Sequence, residues 1–133
     1  MYDPIRKKEV PDTPEEFVRQ ATIRYLVEQV KVSEHLIAVE FSLSTIAPDC
    51  DDRVDLIVQD FRAESSIERP WLLVECKAPG EYTWGALQVQ LNKYLRYLKP
   101  KYVMLALGDA VCYFQLDTAS NRFKKIDNLP VFR

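Results

Sequence analysis

The chain has 133 residues, 47% hydrophobic and 29% charged, an ordinary globular composition with enough length for one core. Its net charge of −2 excludes a globally basic nucleic-acid binder, and no apolar run nears the ~20 residues that span a bilayer. The three cysteines, Cys50, Cys76 and Cys112, are far apart without zinc-type spacing, and the N-terminus has no apolar signal stretch, so a cytoplasmic protein with reduced thiols and no membrane association is expected.

Residues 1–12 read as an irregular arm carrying the basic patch Arg6-Lys7-Lys8. Thr13-Pro14-Glu15-Glu16 then signals a helix start: Thr13 can cap, Pro14 suits the first helical position, and Glu16 completes a capping box. The helix is expected to run to about Val30, burying some of Phe17, Ala21, Ile23, Tyr25, Val27 and Val30. Lys31 to Glu34 is a turn. The single histidine, His35, lies between this helix and the first strand, a surface or turn position that supports no His-based triad.

Leu36 to Leu43 reads as the first strand and Arg53 to Gln59 as the second, with an acidic loop, Ala47 to Asp52, between them. Asp49, Asp51 and Asp52 suit a solvated turn. A polar link at 62–69 leads, as a long hairpin loop, to the apolar run Trp71-Leu72-Leu73-Val74, bounded by Pro70 and closed by Pro79-Gly80, which reads as a buried third strand. A second helix is predicted over roughly Thr83 to Leu98, with Trp84, Leu87, Leu91, Leu95 and Leu98 on one apolar face. Trp71 and Trp84 read as core. A fourth strand at Tyr102 to Leu107, the turn Gly108-Asp109 and a fifth strand at Ala110 to Leu116 form a hairpin. The tail is irregular, or holds a short strand around Arg122 to Ile126. The expectation is one domain over 1–133: a mixed five-stranded α/β (α+β) sheet flanked by helices, in the order α-β-β-β-α-β-β.

The third strand ends in Glu75-Cys76-Lys77. Strand alternation makes Glu75 and Lys77 project together while Cys76 points to the other face. Charge at the end of a buried strand is costly unless paired or bound to an ion. A solvent-reaching edge strand with a surface ion pair would satisfy it. So would a second carboxylate on the neighbouring strand, and Asp55 is placed to be that carboxylate. Two carboxylates at one end of a sheet repel, and a divalent cation relieves the repulsion. Oxygen ligands favour Mg2+ or Mn2+, the backbone carbonyl of Cys76 would be a further ligand, and Lys77 is placed to serve an attacking water or a charged transition state. The stretch from Lys93 to Lys101, with Lys93, Arg96, Lys99 and Lys101 and no acid, reads either as a solvated helix face or as a local strip for nucleic acid.

Asp55 followed by Glu75-x-Lys77 after a hydrophobic strand resembles the PD-(D/E)xK nuclease superfamily. Tyr2-Asp3-Pro4-Ile5-Arg6-Lys7-Lys8, Thr13-Pro14-Glu15-Glu16-x-Val18-Arg19-Gln20, Leu73 to Pro79, Gln90-x-x-x-Tyr94 and Lys101-Tyr102-Val103 together resemble the N-terminal nuclease domain of type I restriction enzyme R subunits. The resemblance implies a restriction-endonuclease-like α-β-β-β-α-β core and a metal-dependent DNA endonuclease. Asp55 and Glu75 would be metal ligands and Lys77 the catalytic lysine. Glu16 would be an additional acid on the first helix, beside its simpler role in the capping box. Gln90 and Tyr94 would help hold DNA or the site, beside the simpler role of edging a core helix. Val54 stands where the family motif has proline, and 133 residues leave no room for a helicase motor. A lone domain would therefore nick, pair with a second copy, or serve other restriction or repair subunits. The competing expectation is a non-catalytic module that keeps the fold and binds nucleic acid or a protein partner.

Overall fold

Helix α1 (Pro14–Tyr25) starts where the sequence places its cap: Thr13 Oγ1 accepts the Glu16 N–H at 3.1 Å, and Pro14 takes the first turn. The chain continues as a π-helical turn, Leu26–Val30, and stops at Lys31, whose φ of +71° reverses it. The helical run thus reaches Val30 as the periodicity predicts. Phe17 and Ala21 on its apolar side stand exposed. Our computed structural model describes residues 1–62 and 67–133; the polar link at 62–69, expected to be a hairpin loop, lies partly outside them.

The N-terminal stretch is not an irregular arm. Strands β1 (Tyr2–Asp3) and β2 (Lys8–Glu9) form a small antiparallel hairpin. Asp3 organises it: its Oδ1 accepts the backbone N–H groups of Ile5 and Arg6 at 2.8 and 2.9 Å, an aspartate-built turn. Strands two residues long have no periodicity to detect, which is why the sequence did not show them.

The main sheet has six strands in the order of the chain: β3 (Ile37–Ser42), β4 (Arg53–Val58), β5 (Leu72–Cys76), β6 (Tyr102–Ala106), β7 (Val111–Asp117) and β8 (Arg122–Ile126). All neighbours are antiparallel except β5 and β6, which the crossover helix α2 (Trp84–Tyr94) makes parallel. The sixth strand, beyond the expected five, is β8, paired with β7 from Asp117–Arg122 to Tyr113–Ile126. It is a partly exposed edge strand rich in charge, so its apolar alternation is faint.

Strands β5 and β6 are buried throughout, the pattern of strands covered on both faces. On one face Leu56, Val58, Leu72, Val74 and Met104 pack with Ile23 and Leu26 of the first helix. On the other, Ile57, Leu73 and Val103 pack with Tyr94 and Leu98. Helix α2 is shorter than predicted, but Leu98 still reaches the core through the turns that follow it. Trp84, expected in the apolar face, is exposed; at the first residue of α2 it meets Tyr82 edge-on, with ring centroids 5.6 Å apart. Among the described residues no helix is long and apolar enough to cross a membrane.

Candidate active site at the end of β4 and β5

In the β4–β5 ladder Leu56 lies opposite Val74, and this is its last pair. One further step of that register sets Asp55 opposite Glu75. There the Asp55 side chain replaces the ladder: its Oδ2 accepts the backbone N–H of Cys76 at 2.8 Å. The β3 side also skips this position. Pairing runs through Val39–Leu56 and resumes at Phe41–Val54, and the skipped residue, Glu40, has φ of +51°. A left-handed non-glycine residue inside a strand costs about 1–3 kcal/mol. The packing shows what the distortion does. Leu56 and Val58 face α1, whereas Val54 and Ile57 face α2, so the alternation is reset across Asp55. Its carboxylate can then reach α1 while still meeting Glu75.

Arg19 of α1 makes that contact, with Nη2 donating to Asp55 Oδ1 at 2.8 Å and Nη1 donating to Glu16 Oε1 at 2.9 Å. Its side chain is only 6% exposed. Burial alone would weaken the guanidinium's hold on its proton; the Asp55 and Glu16 carboxylates more than reverse this and keep it charged. Arg19 is the main site residue that the sequence left without a role. Its signal lay in helical spacing, since Glu16 and Arg19 are one turn apart, but nothing local points to Asp55.

The carboxyls of Asp55 and Glu75 share a hydrogen bond, and their environments divide one proton unequally. Burial pushes Asp55 up, but the hydrogen bonds from Glu75, Arg19 and the Cys76 amide together hold it below the usual carboxylate range. Glu75, 3% exposed, has no such donors. Burial first, and then the Asp55 charge, push it up to about 9, with Lys77 opposing weakly. Of the two, Glu75 is therefore the carboxyl that more readily keeps a proton. Lys77 follows on the same side of the strand and is half-buried. Its backbone N–H donates to the Ala106 carbonyl at 2.9 Å, which fixes the strand end. The next turn is held by a close approach: a Cβ on Gly108, whose φ is +79°, would come within 2.5 Å of Pro79 Cγ. The Cys76 thiol points into the core on the α1 side, where burial raises its pKa. Only the backbone of Cys76 is therefore available to a metal.

The sequence matches the family described as the type I restriction enzyme R protein N-terminus over residues 14–130. The chain belongs to that family. Its fold also resembles a crystal structure from Anabaena variabilis, a candidate nuclease belonging to DUF820: the TM-score is 0.52 at 12% identity, over 92% of this chain and 72% of that one. At that identity the likeness speaks for the fold alone. No curated protein matches the sequence.

The remaining residues singled out in this R-protein domain fall in three places. Glu16 is buried and its oxygens are engaged: Oε1 accepts from Arg6 at 2.7 Å and from Arg19, and Oε2 from Gln20 at 3.4 Å. Burial works against its charge, and the two arginines keep it ionised. Arg19 thus stands between Glu16 and the Asp55–Glu75 pair. Tyr94 is 2% exposed, so its ring offers no surface to nucleic acid. Its hydroxyl donates to the Arg53 carbonyl at 2.9 Å, pinning the start of the strand that carries Asp55, and Gln90 hydrogen-bonds to the same hydroxyl. Tyr94 is thus a core residue of α2 whose hydroxyl meets the strand that carries Asp55. Lys93 on α2 and Arg96 in the turn that follows it are exposed, and Lys93 pairs loosely with Asp52 at 3.4 Å.

Proposed function

We propose that this R-protein N-terminal domain is a DNA endonuclease that hydrolyses phosphodiesters with one divalent cation, Mg2+ or Mn2+, held by Asp55, Glu75 and the Cys76 carbonyl. The observation that carries the reading is the meeting of the Asp55 and Glu75 carboxyls at the end of β4 and β5, with Lys77 beside them. Two carboxyls that retain a proton between them occupy a place where positive charge is favoured, and their hard oxygens suit these cations. Among the described residues no third His, Cys, Asp or Glu completes a larger cluster. A Mg2+ site does not require one, because the ion keeps waters and takes substrate phosphate into its shell. The residues present therefore fit the ion.

A single cation suffices for the Asp55–Glu75 pair. Arg6 and Arg19 offset Asp3 and Glu16 through direct ion pairs. That leaves Asp55 and ionised Glu75, whose charge one divalent ion balances. Glu16, with both arginines on it, stays outside the ligand set in this reading.

When bound, such a cation polarises the phosphodiester and acidifies water. The chain's own residues do the rest. Arg19 and the Cys76 amide hold the Asp55 carboxylate in one orientation. Glu75 gives up its proton as the site loads. Lys77 orients the attacking water, takes its proton or offsets the negative charge that builds on the phosphorus-bound oxygens. Gln90 and Lys93 from α2 and Arg96 from the turn after it are proposed contacts to the DNA backbone, where they would position without reading sequence. One site cuts one strand, so a double-strand break would take a second copy or another subunit.

The test is cleavage of supercoiled plasmid by the purified protein with Mn2+. Wild type should nick it. Lys77→Ala should remain folded, bind Mn2+ within about threefold of wild type and lose cleavage, since Lys77 acts on the transition state and not on the ion. A wild type that binds DNA but cuts neither plasmid, linear nor branched DNA would transfer the domain to the binding-module reading. Equal cleavage by Lys77→Ala would refute the proposed role of the lysine.

A further inference from the structure

The family match begins at residue 14, after the N-terminal hairpin, yet the hairpin is wired to the candidate site. Arg6 is the junction. Its Nε donates to Asp3 Oδ2 at 2.6 Å and its Nη2 to Glu16 Oε1 at 2.7 Å. Its Nη1 lies 3.7 Å from Glu40 Oε2. Asp3, fully buried, is also held by Gln20 Nε2 at 3.0 Å. From Glu16 the line continues through Arg19 to Asp55 Oδ1, with contacts of 2.9 and 2.8 Å. A second line runs through Glu40, the left-handed residue skipped opposite Asp55. Arg6 therefore reaches both features that set the Asp55 carboxylate: through Glu16, the guanidinium that orients it, and through Glu40, the strand distortion that frees it.

We propose that Arg6 is a positioning residue for Asp55, acting through Glu16–Arg19 and Glu40, so that the N-terminal hairpin is part of the site and not an appendage. Arg6 touches no reacting group. Its planar fork joins the buried carboxylates of Asp3 and Glu16 while facing Glu40, a geometry that a lysine ammonium cannot reproduce. The role in catalysis rests on the nuclease reading; the positioning of Asp55 does not.

The experiment reads the bond that Asp55 makes to the sheet. Amide hydrogen exchange in the metal-free protein would be followed at Cys76, whose N–H is held by Asp55 Oδ2, and at Val74 and Met104 in the adjoining ladder. In Arg6→Met the Cys76 amide should exchange about tenfold faster while Val74 and Met104 keep their protection, because only the local opening is affected. Arg6→Lys, which keeps the charge and is the safer fold, should show the same selectivity with a smaller change. Mn2+ affinity by calorimetry should fall about tenfold in Arg6→Met, the size expected for partners behind a ligand, and Glu16→Gln should add little to that loss, since both act on one line. Equal acceleration at all three amides, or unchanged exchange at Cys76 in a folded variant, would overturn the proposal. Absence of Mn2+ binding in wild type would instead count against the nuclease reading, and the exchange result would still decide the role of Arg6.

Discussion

Metal binding should expel one proton, and that proton should come from Glu75. With Glu75 pushed up to about 9, its carboxyl is largely protonated at pH 7, so a cation must displace the proton before it can use that oxygen. Two pH units between 7 and 9 correspond to about 3 kcal/mol subtracted from the intrinsic affinity. The affinity should therefore rise close to tenfold per pH unit, about 100-fold from pH 6 to 8, and level off above pH 9. Calorimetry with Mn2+ at pH 7, in two buffers of different ionisation enthalpy, measures the released proton directly; the expected number is about one. Metal-free stability carries the opposite sign. The folded state holds the Glu75 proton between the ordinary glutamate pKa and about 9, so in that window folded protein binds more protons than unfolded, and the Glu75 contribution to stability declines as pH rises. Glu75→Gln, which imitates the protonated acid, should remove that decline and leave the metal-free protein at least as stable as wild type at pH 8. Mn2+ binding to wild type with no proton released, or with affinity flat from pH 6 to 8, would refute the assignment of the proton to Glu75.

Removing the hydroxyl in Tyr94→Phe leaves the Arg53 carbonyl unpaired and should cost about 1–3 kcal/mol in a urea titration, with DNA affinity of the folded protein unchanged; weakened binding without lost stability would return Tyr94 to the DNA surface. Lys93→Gln and Arg96→Gln should each lessen the slope of log affinity against log salt by about 0.9 on duplex DNA, and an unchanged slope would remove α2 from the interface. Asp55→Ala should lose both Mn2+ binding and cleavage, and because it takes one of the two carboxylates from the Arg19 guanidinium, leaving Glu16, it should lower stability by about 1–3 kcal/mol, read by thermal melting without metal; a variant that still binds Mn2+ with wild-type affinity would exclude Asp55 as a ligand.

Periodicity and capping in the sequence were enough to determine the two helices, the strands from Ile37 to Asp117 and the meeting of Asp55 with Glu75. Each of these depends on a local pattern: a cap at Thr13, alternation in Leu72 to Lys77, and the proximity of strands joined in succession. Tertiary structure alone decided the rest. Trp84 and Tyr94 share a helix and an apolar character, yet one is exposed and the other buried, because burial depends on where the helix meets the sheet. The hairpin at Tyr2–Glu9 is too short to show a period, and the edge strand at Arg122–Ile126, which the sequence offered beside an irregular tail, is too charged for its pattern to choose between them. The reset of alternation at Asp55 arises from Glu40 on a different strand. Arg19 reaches Asp55 across 36 positions of sequence, and Arg6 reaches Glu16 across 10. A charged side chain carries no mark of its partner in its own neighbourhood. It acquires one only when folding brings opposite charges together out of water, where leaving either alone would be costly.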